Sequence, residues 1–405
     1  ALNFVDWAKH KINLIDTPGD ANFSYDTKSC LRVVDAAVVL VDAVGGVEFQ
    51  TEKVWTYADE FSLPRLVFVN RMDRERADFD QVLRDIAEVF EIKPLVLTLP
   101  IGAEDKFAGV VDILKKKAYL YEKDGSGKFT ESDIPADMQD TVEEIYGRVV
   151  EDLAEVDDAL MEKYLEGGEL TAEELASALS SGLAQGNFLP VFAGSALLNM
   201  GVQPLMDFIN ASGLTPQQRK LPELSNKQGE TRPIKASEDE MFCGHVFKTM
   251  SDPYTGTLSI IRCYSGTLTP DSSVFNSSRD VKERIGTLLQ LEGKAQKPLE
   301  EVGPGDIFAI AKLKETKTGD TLLGESSEYV LPSPEFPETI MSMAVNPKTK
   351  ADVDKIMPAL QKLMDEDPVL EVHRDEQTGE FILSGLGQLH IEIAVDRLKR
   401  RFGVE

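Results

Sequence analysis

Three short runs in this 405-residue chain carry residue types and spacings able to hold a nucleotide. The first is Asp16-Thr17-Pro18-Gly19, which ends the apolar run "INLI". An aspartate there can hold Mg²⁺ through water, and a glycine brings a backbone N–H to a terminal phosphate with no side chain in the way. The same four residues also make an ordinary Pro-Gly turn after a strand. The second run, "FVNRMD", sets Asn70 and Asp73 three apart. A carboxylate accepts two hydrogens from a guanine edge, and an amide beside it both donates and accepts. Alone, the run reads better as a helix N-cap than as a base reader. The third, Gly194-Ser195-Ala196, offers a backbone N–H that can meet a guanine carbonyl oxygen, and on its own it has no specificity.

Order and placement give the three runs their weight. Each falls at the C-terminal end of a candidate strand, where open α/β sheets bind ligands. Those strands are Ile12 to Ile15, Ala36 to Val41, Leu66 to Val69, Pro94 to Leu99 and Leu189 to Phe192. Helical patterns lie at Phe23 to Val34, Glu48 to Phe61, Asp78 to Phe90 and Val202 to Ile209, so strands and helices alternate as in a doubly wound sheet. A phosphate-binding loop of the form GxxxxGK followed by Ser or Thr should accompany them. "DGSGKF" does not qualify, because Glu122 stands at the first glycine position and Phe129 at the hydroxyl position; it reads as a hairpin turn. The loop is therefore expected before Ala1, with this chain a piece of a longer protein.

The segment from about 105 to 186 breaks the alternation with a possible hairpin and acidic helices, and reads as an insertion into a first domain of residues 1–213. Residues 213–240 are polar and without period, hence a linker. Residues 241–330 are rich in β-branched residues punctuated by Gly and Pro, which predicts a small all-β barrel. After "LPSPEFP", residues 339–405 read strand, helix, strand, helix. In the first of these helices Val353, Ile356, Met357, Leu360, Leu363 and Met364 recur at helical spacing, the mark of a buried stripe. A kink is expected at Pro358, and Gly403 follows Lys399, Arg400 and Arg401 as a C-terminal cap.

A net charge of −27, from 43 basic and 70 acidic residues, argues against a chain that coats nucleic acid by counterion release alone. Any RNA contact then needs a local patch such as Lys348, Lys350, Lys399 and Arg400. The three cysteines, Cys30, Cys243 and Cys263, have no metal-binding or disulfide spacing, and a reducing cytoplasm fits them best. No run approaches the roughly 20 apolar residues of a membrane span. His390 reads as a packed or capping residue, and His10, His245 and His373 stand alone.

With their flanks, the motifs resemble elongation factor G, the translocase-type translational GTPase. "INLIDTPGDANF", "LRVVDAAVVLVDAVGGVEFQTEKVW", "RLVFVNRMDR" and "GSALLNMGVQPLMDFI" are similar to its nucleotide domain. "FKTMSDPYTGTLSIIRCYSGTL" and "LKETKTGDTLLGE" are similar to its second domain, and "ILSGLGQLHIEIAVDRLKRRFGVE" to its third. The resemblance implies a multidomain fold: an α/β P-loop-NTPase-like G domain with an inserted α+β subdomain, then an all-β barrel, then an α+β ferredoxin-like domain. It implies two further domains after Glu405. It also implies GTP or GDP with Mg²⁺ as cofactors, and the ribosome, its rRNA and proteins, as partner of a cytoplasmic monomer with no membrane contact. The acidic helices of the insertion would then face a ribosomal stalk protein.

Carried over residue by residue, the resemblance places Asp16, Thr17, Pro18, Gly19, Asn70, Arg71, Asp73, Ser195 and Ala196 around the nucleotide, with Asp16 on Mg²⁺ through water and Gly19 sensing the γ-phosphate. The sequence departs from the family twice. Arg71 stands where the family has Lys, and its aliphatic stem can pack on the base in the same way. Asp20 stands where the family has the His that orients the attacking water, so a carboxylate near the γ-phosphate would meet like-charge repulsion. Two other readings remain open: a slowly or non-hydrolysing, nucleotide-gated ribosome-binding regulator, and a sister family such as the ribosomal protection proteins or the third release factor.

Overall fold

The computed structural model describes residues 1–212, 215–252, 256–333 and 335–404, apart from the side chains at 212, 251, 252, 350 and 351. Residues 213–214 of the expected linker, residues 253–255 of the expected barrel, Pro334, the Lys350 side chain and Glu405 lie outside the described residues. The chain divides into two compact units, Asp6–Ile12 with Val34–Thr215, and Ala1–Val5 with Asn13–Val33 and Pro216–Glu405.

At the N-terminus β1 (Leu2–Trp7) pairs with β2 (His10–Ile15) in a two-stranded sheet. The turn between them, Ala8 and Lys9, has φ of 45° and 69°, the left-handed values that a tight two-residue hairpin demands. The sequence reading missed β1 and placed Ile12 to Ile15 in the parallel sheet; that strand instead pairs with its neighbour in the chain. α1 (Ser24–Val33) follows.

The first unit continues with β3 (Ala37–Asp42), α2 (Phe49–Glu60), β4 (Arg65–Asn70), α3 (Phe79–Phe90) and β5 (Pro94–Val96). The predicted strand Pro94 to Leu99 is split in two. β6 (Thr98–Ile101) turns away to join β7 (Gly109–Asp112), β8 (Lys117–Tyr121) and β9 (Phe129–Ser132) in an antiparallel sheet. Three helices follow, α4 (Gln139–Ala154), α5 (Asp158–Leu165) and α6 (Ala172–Gln185), and then β10 (Leu189–Ala193) and α7 (Val202–Ser212). β10 re-enters the parallel sheet, whose order is β3-β4-β10-β5. The split has a local cause: the Thr98 hydroxyl accepts the Ala193 N–H at 2.8 Å, so a side chain takes the ladder bond that a continuing strand would have made. Every residue of β10 is buried, as a strand covered on both faces requires.

α6 starts on a capping box, in which the Thr171 hydroxyl accepts the Glu174 N–H at 3.2 Å and the Glu174 carboxylate accepts the Thr171 N–H at 2.7 Å. Thr171→Ala should cost about 1 kcal/mol. Hydrogen exchange in the first turn of α6 should then accelerate about fivefold; unchanged exchange would show the cap to be idle.

In the second unit β11 (Leu224–Ser225) and β12 (Thr231–Arg232) form a small pair. They precede β13 (Cys243–Asp252), β14 (Gly256–Ser265), β15 (Ser273–Asn276), β16 (Val281–Arg284), β17 (Leu288–Glu292), β18 (Ala295–Leu299), β19 (Ile307–Ala311) and β20 (Thr321–Leu323). These eight make one antiparallel sheet in the order β16-β15-β20-β13-β14-β19-β17-β18. Its inner face buries Val246, Ile261, Val274, Leu288, Phe308 and Leu322 in one cluster. Strands from both ends of the sheet contribute, so the sheet wraps around that core. Cys30 and Val33 of α1 pack with Phe247, Ile260, Leu291 and Ile307 of the same sheet.

The last domain holds β21 (Met341–Val345), α8 (Lys350–Glu366), β22 (Glu371–Arg374), β23 (Phe381–Gly385) and α9 (Gln388–Phe402), with sheet order β21-β23-β22. The sequence reading missed β22, a short strand with no alternation to mark it. α8 runs without a break across Pro358. Its buried face is Ile356, Ala359, Leu360 and Leu363, whereas Val353 and Met357 of the expected stripe are 49% and 39% exposed. A helix lying on one sheet buries a narrower arc than the periodicity alone suggests. Gly403, at φ 61°, caps α9.

Candidate functional site

In the first unit β4 and β10 run parallel and in register from Val67↔Val191 to Val69↔Ala193, so the turns after them emerge side by side. The Met72 N–H donates to the Gly194 carbonyl at 3.1 Å, and the Ala196 N–H donates to Asn70 Oδ1 at 2.9 Å. Asn70 Oδ1 also accepts the Arg71 N–H at 2.8 Å. Gly194 is required by closeness, because a Cβ there would run into the Met200 carbonyl and the Phe68 ring. Asn70, Arg71, Asp73, Ser195 and Ala196, predicted from sequence, are thus assembled at one end of the sheet.

Their individual states differ. Ser195 is fully buried and locked in its own loop, its N–H donating to Met200 O at 3.0 Å and its Oγ accepting the Leu198 N–H at 3.3 Å. It shapes the loop rather than presenting its hydroxyl. Arg71 sits at φ 66°, and its guanidinium donates to Asp42 Oδ2 at 2.5 Å, with Arg74 at 3.6 Å from the same oxygen. Burial pushes the Asp42 carboxyl up, but the Val44 N–H and the Arg71 guanidinium outweigh it and hold the group below its usual range. Sequence reading missed Asp42, although a signal existed: it too ends a strand of the same sheet. Asp73 Oδ1 is buried and has no hydrogen-bond partner among the described residues. A buried acceptor of this kind carries a desolvation cost.

The Asp16 to Asp20 run belongs to the second unit. The Asp16 N–H donates to the Ala1 carbonyl at 2.8 Å, and the Asp16 side chain is 84% exposed. Thr17 and Pro18 are half-buried, and the Pro18 carbonyl accepts the Thr27 hydroxyl at 3.1 Å. Gly19 is exposed, with nothing within 4 Å of a Cβ built on it. Asp20 turns onto its own chain. Its Oδ1 accepts the Asn22 N–H at 2.8 Å and the Asn22 side-chain amide at 2.7 Å, capping the short turn Ala21–Phe23. The Asn22 backbone N–H, then its side chain, hold the Asp20 carboxyl below its ordinary value.

Comparison with known families covers the chain in three stretches. The model of the elongation factor Tu GTP binding domain matches residues 1–212, that of elongation factor G domain 2 residues 241–325, and that of elongation factor G domain III residues 336–405. The chain belongs to the elongation-factor-G-like GTPases. A crystal structure of a protein from Thermus thermophilus is similar to it at 31% identity and a TM-score of 0.88, over 100% of this chain and 58% of that one. The chain therefore spans 58% of the length of that relative.

In this elongation-factor-G-like chain the GTP binding domain implies a guanine nucleotide, and the residues include an amide and a carboxylate, Asn70 and Asp73, of the types that pair with a guanine edge. For Mg²⁺ they offer less: among the described residues no group of three or more His, Cys, Asp or Glu could hold a metal, and exposed Asp16 suits one water-mediated contact only. Among the described residues no helix is long and apolar enough to cross a membrane. The cysteines are free and buried. Burial pushes the thiols of Cys30 and Cys243 up to about 12, which makes them inert. His245, fully buried, is pushed down to about 3 by burial and then by Arg32, so it stays neutral.

Proposed function

We propose that the whole protein binds GTP and GDP with Mg²⁺ and couples hydrolysis to a step on the ribosome, translocation or a related one, as a cytoplasmic monomer. The carrying observation is the tie between the turns that follow β4 and β10, the Ala196 N–H donating to Asn70 Oδ1 where the two parallel strands end. In this reading Asp73 and Asn70 select the guanine base, and the loop of Ser195 and Ala196 lies along it. Arg71 covers the base while Asp42 steadies its guanidinium. Asp16 meets Mg²⁺ through water, Thr17 and Pro18 shape the turn, and Gly19 offers its N–H to the γ-phosphate. Mg²⁺ supplies charge neutralisation between the phosphates when bound. The partner surfaces are rRNA and ribosomal proteins, a stalk protein facing α4 to α6 among them.

A second reading has an observation of its own. Asp20, at the position of the family's water-orienting His, uses its carboxylate to cap its own turn, which favours a slow-cycling, nucleotide-gated regulator. Ribosome-stimulated GTP hydrolysis by the full-length protein, with Asp20 and with Asp20→His, separates the two. Slow turnover with Asp20, raised at least about tenfold in Asp20→His, would establish the regulator. Brisk turnover with Asp20 in place would establish the hydrolase without the histidine. Failure to bind guanine nucleotide at all would end both readings.

A further inference from the structure

The loop that carries Ser195 and Ala196 is held from two sides. One is Asn70, described above. The other is the hairpin of the inserted segment, a feature that the proposed function does not use. Tyr121, the last residue of β8, is 8% exposed and donates its hydroxyl to Gln203 Oε1 at 2.9 Å. Gln203, in the first turn of α7, passes the bond on by donating Nε2 to the Gly127 carbonyl at 3.0 Å. Gly127, buried and at φ 73°, lies so close to the loop that a Cβ would run into the amides of Asn199 and Gln203. Burial pushes the Tyr121 phenol up, and the opposing contact is the backbone N–H of Gly201, the residue that closes the loop. The phenol therefore keeps its proton and remains a donor across the usable pH range.

We propose that Tyr121 is a positioning residue for the base-reading loop: through Gln203 its hydroxyl fixes Gly194 to Gly201 against the insertion hairpin, and so governs how long a guanine nucleotide stays bound. This rests on the guanine-binding reading above. The chemistry is that of a two-sided clamp. Asn70 sets the Ala196 end of the loop, Tyr121 and Gln203 set the Gly201 end, and the bridge between Ser195 and Met200 joins the two. Freeing one end lets the loop drift from the base by tenths of an ångström, enough to weaken hydrogen bonds whose strength falls steeply with geometry.

The test is the dissociation rate of mant-GDP from the full-length protein, wild type against Tyr121→Phe, with Gln203→Ala as a second variant and Tyr119→Phe as control. Tyr119 is also buried on β8, but its ring faces Lys115. A dissociation rate is read only from folded, loaded molecules, so lost fold stability does not move it. We expect Tyr121→Phe and Gln203→Ala to release mant-GDP roughly five- to tenfold faster, the worth of one hydrogen bond, and Tyr119→Phe to release it at the wild-type rate. Wild-type rates in both variants, or equal acceleration in the control, overturn the inference. A wild type that retains no mant-GDP overturns the guanine reading first, and the inference with it.

Discussion

Asp73→Asn is expected to weaken GDP binding by about 10²- to 10⁴-fold, and to convert the full-length protein to a preference for xanthosine diphosphate. The carboxylate can accept from both N–H groups of the guanine edge, each bond to a charged group being worth about 1.5–3 kcal/mol. Replacing one oxygen by an amide nitrogen sets donor against donor at one of them. Xanthine carries a carbonyl at that position, so the same nitrogen finds an acceptor there. Titration calorimetry with both diphosphates decides the matter. Equal affinities in the two proteins would mean that Asp73 reads no base.

The second large effect is expected at Asp367, 2% exposed beneath α9. Its Oδ2 receives the Tyr25 hydroxyl at 2.8 Å and His390 Nε2 at 2.7 Å, and its Oδ1 accepts the Val369 N–H at 3.1 Å. The tautomer of His390 follows from its other partner: the Leu386 N–H donates to Nδ1 at 3.1 Å, so Nε2 carries the hydrogen. Burial, then the Asp367 charge, push the Tyr25 phenol far up, and it too remains a donor. Asp367→Ala strands three buried donors at once and should cost about 3–5 kcal/mol. Tyr25→Phe removes one donor together with its need for a partner and should cost only about 1 kcal/mol. Urea unfolding of the two variants measures both. A cost below that of Tyr25→Phe would show that the carboxylate is not the hub of the cluster.

His390 shows what sequence can and cannot supply. A buried or capping histidine was legible from its helical setting, but its link to Tyr25 spans 342 residues between Tyr25 and Asp367, a pairing that no local pattern encodes. The same division holds for the candidate site. Asn70, Asp73 and Ala196 were legible because each ends an apolar run, and a parallel sheet gathers such ends on one edge. Asp42 carried the same signal and was passed over for want of a motif. Tyr121 carried none, since its role depends on how an inserted hairpin folds back on α7. In the fold, long apolar runs announced β3, β4 and β10. The break before Thr98 depended on one hydroxyl replacing a ladder bond, and β22 on pairing with β23, contacts invisible to periodicity.

Asn70 has a consequence for the thermodynamics of recognition. Two backbone N–H groups already converge on its Oδ1, so the amide is held in one orientation. The rotor entropy of that side chain is lost when the domain folds, not when a nucleotide arrives. In the proposed reading a base meets a rigid template, and the distinction between a matching and a mismatched ring is carried by heat rather than by ordering.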